Sequence, residues 1–190
     1  MADERRRAIL DAAIAVIARR GVRGLRVEEV AAEAAVAVSL LYYYFETRSG
    51  LVRAALEHAN ERAIATGART AGRGRGLSAA RRTLLAEFDA GDHVRDTSVV
   101  WGEVLASAVF EPDLREQLRA ASEAWVGIVA EQIRAGQEDG SIRSDRDADG
   151  SAQLLTATVD GLSARWLAGL ISRQEARRLL SQAIAATLEA

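Results

Sequence analysis

Apolar residues recur at spacings of three and four along most of the chain, from Ile9, Ala13, Val16 and Ile17 near its start to Leu180, Ile184 and Leu188 near its end. That is the period of an α-helix; a half-buried strand would alternate. Only one proline, Pro112, is present to interrupt helices, and Ala and Leu are abundant within a hydrophobic fraction of 49%. Both features favour helix, because proline costs about 3 kcal/mol in a helix interior and alanine costs nothing. A chain of 190 residues can also bury a substantial core. The expected fold is therefore all-α.

The periodicity resolves into about nine helices. The first covers residues 4–20 and stops at Gly21, a residue suited to the position just past a helix end. Val27, Val30, Ala31 and Ala34 mark a short second helix. After a break at Ala35 to Ala37, a third runs through Leu41, Tyr44 and Phe45. Arg48-Ser49-Gly50 opens a fourth that reaches about Thr66, and the Gly- and Arg-rich TGARTAGRGRGLS, Thr66 to Ser78, reads as a mobile loop. Leu84, Leu85 and Phe88 lie on the fifth helix, and Val100, Trp101, Val104 and Leu105 on the sixth. Pro112 suits the first turn of a long seventh, whose stripe is Leu114, Leu118, Ala121, Trp125, Ile128 or Val129, and Ile133. A polar connector, Glu138 to Ser151, offers Gly140 as a stop and Asp147 as an N-cap. Two last helices carry Leu155, Val159, Leu162, Trp166 and Leu170, then Leu180, Ile184 and Leu188.

Several function classes fall away. No cysteine is present, which removes disulfides and thiolate metal sites and fits a reducing cytoplasm. The two histidines are too few for most metal constellations, so neither a metal nor a cofactor is expected. No apolar run approaches the roughly 20 residues of a membrane helix, and MADERRRAILDAA lacks the apolar centre of a signal peptide. No Ser/His/acid or Cys/His set suggests an enzyme, and the GRGRG of Gly72 to Gly76 follows no strand, so it is no nucleotide loop. Residues 1–53 hold nine arginines against seven acids, and the remainder is net acidic. That balance permits an N-terminal part facing a polyanion.

The third helix carries an unusual run, Tyr42-Tyr43-Tyr44-Phe45. Successive helical residues turn by about 100°, so one core cannot take all four rings. With Leu41 pointing inward, Tyr44 and Phe45 fall within about 60° of it, Ser39 and Tyr43 lie nearly opposite, and Leu40 and Tyr42 flank them. Two short helices joined by a tight turn after a longer one form a helix-turn-helix layout, in which the outer residues of the third helix meet bases and phosphates. A phenol there can donate to a phosphate and touch a thymine methyl. Periodicity alone leaves open that Tyr42 and Tyr43 decorate an amphipathic helix or pack on a neighbouring domain.

The segment from Ile9 to about Leu56, ILDAAIAVIARRGVRGLRVEEVAAEAAVAVSLLYYYFETRSGLVRAAL, resembles the N-terminal domain of tetracycline-repressor-type (TetR) regulators. It shares the ILDAA first helix closed by Gly, the V-x-x-[IV]-A second helix, the L-Y-x-Y-F of the third and the basic residue, Arg48, opening the fourth. The resemblance implies a DNA-binding domain over residues 1–50 and a ligand-binding and dimerisation domain over 51–190. It also implies DNA contact by Arg26, Glu28, Val38, Ser39, Leu40, Tyr42, Tyr43 and Arg48, with Arg26 and Arg48 seeking phosphates. The chain departs from the pattern where Arg26 replaces the usual Ser or Thr cap, Ala35 replaces the turn glycine, and Ala37, Val38 and Leu40 replace small or polar residues. Of the third helix's outer side chains only Ser39, Tyr42 and Tyr43 can donate, so methyl contact and DNA shape carry more of the readout.

Trp101-x-x-x-Leu105, Glu111-Pro112-Asp113-Leu114 and Asp160-Gly161 are similar to the C-terminal half of regulators grouped with the choline-responsive repressor. The function implied is a cytoplasmic repressor on a palindromic double-stranded DNA operator, released by a small-molecule effector. A pocket for it would draw on Phe88, Trp101, Leu105, Phe110, Trp125 and Val129, which are equally suited to ordinary core; Glu103 and Asp160 would favour a cation or pair with arginines. His58 could report binding to the DNA domain or simply pack. Leu155, Val159, Leu162, Trp166, Leu170, Leu180, Ile184 and Leu188 form two stripes expected at a homodimer interface, with Gly161 and Ala168 allowing close approach. A regulator of this fold that has lost DNA binding is the alternative, supported by the apolar third helix.

Overall fold

The computed structural model describes residues 2–71 and 74–189. Among them are nine α-helices and no strand. They are α1 (Ala2–Gly24), α2 (Val27–Glu33), α3 (Val38–Phe45), α4 (Arg48–Ala71), α5 (Gly76–Ala86), α6 (Asp92–Ser107), α7 (Arg115–Glu138), α8 (Ala148–Leu167) and α9 (Arg173–Ile184). Pro112–Leu114 is a single 3-10 turn leading into α7, so Pro112 precedes that helix rather than sitting in it. Much of the Gly- and Arg-rich stretch expected as a loop is helical: α4 extends through Ala71 and α5 starts at Gly76, while residues 72–73 lie outside the described residues. Arginine and alanine are good helix formers, and they outweigh the scattered glycines there.

The chain forms two compact units that interleave in sequence, unlike the contiguous division at residue 50. One comprises residues 1–62 and 96–119, the other 63–95 and 120–190. In the first, Ile9, Ala13, Val16 and Ile17 of α1 pack with Val30, Leu41, Leu51, Ala55, Val100, Val104 and Leu114, all buried. Gly21 breaks α1 with φ 72° and ψ 167°, a backbone conformation open essentially to glycine alone. His58 is a packing residue, its Nε2 lying 3.0 Å from Asp11 Oδ1, which also accepts from Arg62.

The second unit is built on Phe88, Val129, Ile133, Leu155, Leu180 and Ile184, all fully buried. Gly140, with φ 78°, ends the turn after α7, and Asp147 caps α8 by accepting from the Asp149 N–H at 3.1 Å. The stripes expected between subunits are placed otherwise. Leu155, Val159, Leu162, Leu180, Ile184 and Leu188 are buried within this unit, Trp166 is half-buried against its core, and only Leu170 is well exposed. An apolar stripe goes to the nearest core that can take it, and here α5, α7, α8 and α9 supply one. The outward face of α8 instead presents Leu154, Ala157, Gly161, Ala164 and Ala168.

Candidate nucleic-acid interface

The first unit contains the helix pair expected of a DNA-reading head. α2 begins after Arg26, whose extended backbone (φ −112°, ψ 131°) leaves its carbonyl to accept from the Glu29 and Val30 N–H groups. Arg26 gives no side-chain cap, is exposed, and makes no ion pair among the described residues. Glu28 and Glu29 in the first turn suit the positive end of the helix dipole. Arg19 grips Glu33 with Nη1 and Nη2 and lies 3.9 Å from Glu29, which Arg20 also approaches at 3.5 Å. Those contacts lock α2 onto α1 and hold the Glu33 carboxyl below its ordinary range. They also remove two arginines from the supply available to DNA.

The turn between α2 and α3 is tight. Ala35 adopts φ 55°, the left-handed conformation where the family pattern has glycine, and the Val36 N–H donates to the Ala31 carbonyl at 3.0 Å. A non-glycine residue costs roughly 1–2 kcal/mol there. α3 then starts after Ala37 with no side-chain cap.

α3 divides its residues as the wheel anticipated. Leu41 and Phe45 are buried, at 1% and 7% exposure, and Tyr44 is half-buried against the same core. Tyr43 is 79% exposed and Tyr42 47%. Ser39 is exposed too, while Val38 and Leu40 are half-buried and pack at the core's edge. The Tyr43 ring meets Tyr44 edge-on at 5.4 Å, and Tyr44 leans on Phe45 at 6.0 Å, so the outward ring stands on the inward ones. Ser39, Tyr42 and Tyr43 thus form one hydroxyl-bearing outer face.

Arg48 departs from the role expected of it. Its Nε donates to the Leu25 carbonyl at 3.1 Å and its Nη2 to the Val22 carbonyl. The guanidinium is engaged on the α1–α2 connection, where it fixes the approach of α2. Nothing in the local sequence signals this. Just before it, Glu46 takes φ 59° and ψ −46° in a γ-turn in which the Thr47 N–H donates to the Phe45 carbonyl at 2.6 Å. A Cβ at Gly50 would run into that same carbonyl, so glycine is needed there.

The connection between α1 and α2 has a second anchor. Glu103 of α6 accepts from the Val22 N–H at 2.9 Å and sits where a Cβ on Gly21 would meet its Oε2 at 2.6 Å. Glu103 therefore holds the end of α1, in place of the cation-binding role considered for it.

The six residues suggested for an effector pocket fall in different units. Trp101, Leu105 and Phe110 belong to the first, where Phe110 is 72% and Leu105 43% exposed, and the Arg23 guanidinium lies 5.4 Å from the Phe110 ring centre. Phe88, Trp125 and Val129 belong to the second, where Phe88 and Val129 are fully buried and the Phe88 ring meets Trp166 at 5.9 Å. Periodicity did not single out Glu87. In that unit, burial pushes its carboxyl up to about 7, with Asp160 and Asp89 adding to the effect. Among the described residues no group of three or more His, Cys, Asp or Glu could hold a metal, and no helix is long and apolar enough to cross a membrane.

A short helix-turn-helix with a hydroxyl-bearing outer face has the layout of the DNA-reading heads of helix-turn-helix regulators. Comparison with known proteins narrows this. Residues 9–55 match the bacterial regulatory proteins of the tetR family, and residues 76–189 the C-terminal part of BetI-type transcriptional repressors. A TetR-family regulator from Rhodococcus sp. is 42% identical over 98% of this chain and 100% of its own, with a TM-score of 0.92. A regulator from Saccharomonospora viridis, solved in complex with choline, is 28% identical over 98% of both chains, with a TM-score of 0.83. A TetR regulator from Haloarcula marismortui, at 20% identity over 98% of this chain and 100% of its own and a TM-score of 0.81, shares the fold. No curated protein sequence matches the chain. The chain belongs to the TetR family of transcriptional regulators, with a BetI-type C-terminal part.

Proposed function

We propose that this regulator is a homodimeric repressor that occupies a palindromic operator through α3 and leaves it when a small molecule binds the C-terminal unit. The observation that carries the DNA half is the exposure of Tyr43 at 79% beside exposed Ser39 and Tyr42, on a helix whose other face is core. A single head would offer few contacts, whereas a two-fold pair reads two half-sites about 34 Å apart. The outward face of α8 suits the pairing: Leu154 is 58% exposed, and a Cβ on Gly161 would meet nothing within 4 Å, which leaves room for a partner helix. Large side chains on the opposite face already fill this unit's own core.

For the effector, a small organic cation is the favoured class. Burial raises the Glu87 carboxyl and the charges of Asp160 and Asp89 add to the effect, although Asp89 also accepts from Arg177 at 2.6 Å. A cation would relieve that repulsion, and the 28%-identical Saccharomonospora protein holds choline. Selection of bound duplexes from a random DNA pool tests the proposal, followed by titration of the recovered duplex complex with a quaternary ammonium compound. A palindrome released by the cation and not by its neutral isostere is the expected result. Recovery of no duplex would favour the other reading, a sensor that has lost DNA binding, for which half-buried Val38 and Leu40 on α3 speak.

A further inference from the structure

We infer that Arg5, on the first turns of α1, clamps a backbone phosphate of the bound DNA in a groove beside α3; this rests on the DNA-binding reading above. The groove has a volume of about 550 Å³ and is lined by Arg5, Ala35, Val36, Ala37, Ser39, Leu40 and Tyr43. Its lining comes from the start of α1, the α2–α3 turn and α3. Arg5 supplies the one formal charge among these seven residues, and it makes no ion pair among the described residues. Ser39 and Tyr43 add hydroxyls that can donate to the same anion.

The placement follows from the helix period. The buried face of α1 holds Ile9 and Ala13, and one turn earlier the same face reaches Arg5. The core has ended by then, so an inward-phased position becomes the rim of the reading face. Neighbouring Arg6 is occupied differently, with its guanidinium 5.6 Å from the Phe45 ring centre. Arg48, the cation expected near this site, is held on two backbone carbonyls. Arg5 thus offers the groove a guanidinium that is not committed to backbone carbonyls. An arginine fork meets phosphate oxygens in pairs, and such a contact positions a protein without choosing sequence.

The test measures binding of the full-length protein to the selected duplex by fluorescence anisotropy over a series of KCl concentrations. Arg5→Ala is expected to lower the slope of log K against log salt by roughly two per dimer, one for each half-site, and to weaken all duplexes alike. Arg5→Lys keeps the charge and is expected to keep most of the slope. Arg7→Ala, exposed on the same helix but absent from the groove, is expected to leave it unchanged. Thermal melts of all three match the parent. An Arg5→Ala slope equal to the parent's overturns the inference while the DNA-binding reading stands, and so does an equal drop with Arg7→Ala. A parent protein that binds no duplex overturns both.

Discussion

α3 and α8 each carry large apolar residues along one face, yet their opposite faces differ in kind. On α3 the inward side is Leu41 and Phe45, and the outward side bears Ser39, Tyr42 and Tyr43. On α8 the inward side is Leu155, Val159 and Leu162, and the outward side bears Leu154, Ala157, Gly161, Ala164 and Ala168. Rings tipped with hydroxyls suit a wet, charged groove, whereas small residues let a second helix come close. The inward stripe tells how each helix is held in its own unit. What the helix meets outside is written on the other face.

The sharpest break of this comparison separates the two faces of α8. Leu155→Ala empties a fully buried position and is expected to cost about 2–5 kcal/mol in chemical denaturation. Gly161→Arg, on the outward face, is expected to leave the helical signal intact and to shift sedimentation from dimer to monomer. A monomer from Leu155→Ala with unchanged stability would reverse the assignment of the faces.

The units also differ in how they treat carboxylates. In the first, the hydrogen bond from Arg19 holds Glu33 down; in the second, burial raises Glu87 to about 7 from an ordinary 4.5. A folded value above the unfolded one means the protonated acid favours the fold. That contribution is complete below pH 4.5 and is lost as pH climbs to about 7. Glu87→Gln is therefore expected to resemble the parent at the acid end and to exceed it above pH 7 by about 1–3 kcal/mol, reduced from the full shift for partial solvent access. Melts of the two proteins across that window check this, and a cationic effector should lose affinity for the variant.

Smaller effects are expected at the entrance to α3. Ala37→Ser supplies the missing cap and is expected to add about 0.5–2 kcal/mol. Ala35→Gly relieves the left-handed alanine and is expected to add somewhat less, since glycine also loses more freedom on folding. If neither variant raises the melting temperature, the turn is not where stability is lost.

Much of the head could be read from its residues because a short helix has few places to put four rings. The Leu41 phase alone separates Tyr44 from Tyr43, and Gly21 announces its turn because almost no other residue can adopt it. Arg48 was not legible: its position in the motif matches, but its direction depends on where the Leu25 and Val22 carbonyls lie. Arg5 escaped for a related reason, since nothing in the sequence states that the core ends one turn before Ile9. In the second unit the period marks the apolar stripes of α8 and α9, and most of their large residues pack within the unit itself. Periodicity fixes a face and is silent on whether the covering helix comes from the same chain. The raised acid at Glu87 depends on Asp160, distant in sequence, and no local pattern could reveal it.

The claim on which the rest turns is that α3 sends Tyr44 inward and Tyr43 to DNA. It is tested most directly by titrating the selected operator with Tyr43→Ala alongside a thermal melt. At 79% exposure, truncation of Tyr43 is expected to change stability by no more than about 0.5 kcal/mol. Operator affinity is expected to fall by the roughly 1–3 kcal/mol of a lost contact, about five- to 150-fold. A variant that melts with the parent and binds the operator with undiminished affinity would contradict the account, because the most exposed ring on α3 would then have no part in recognition.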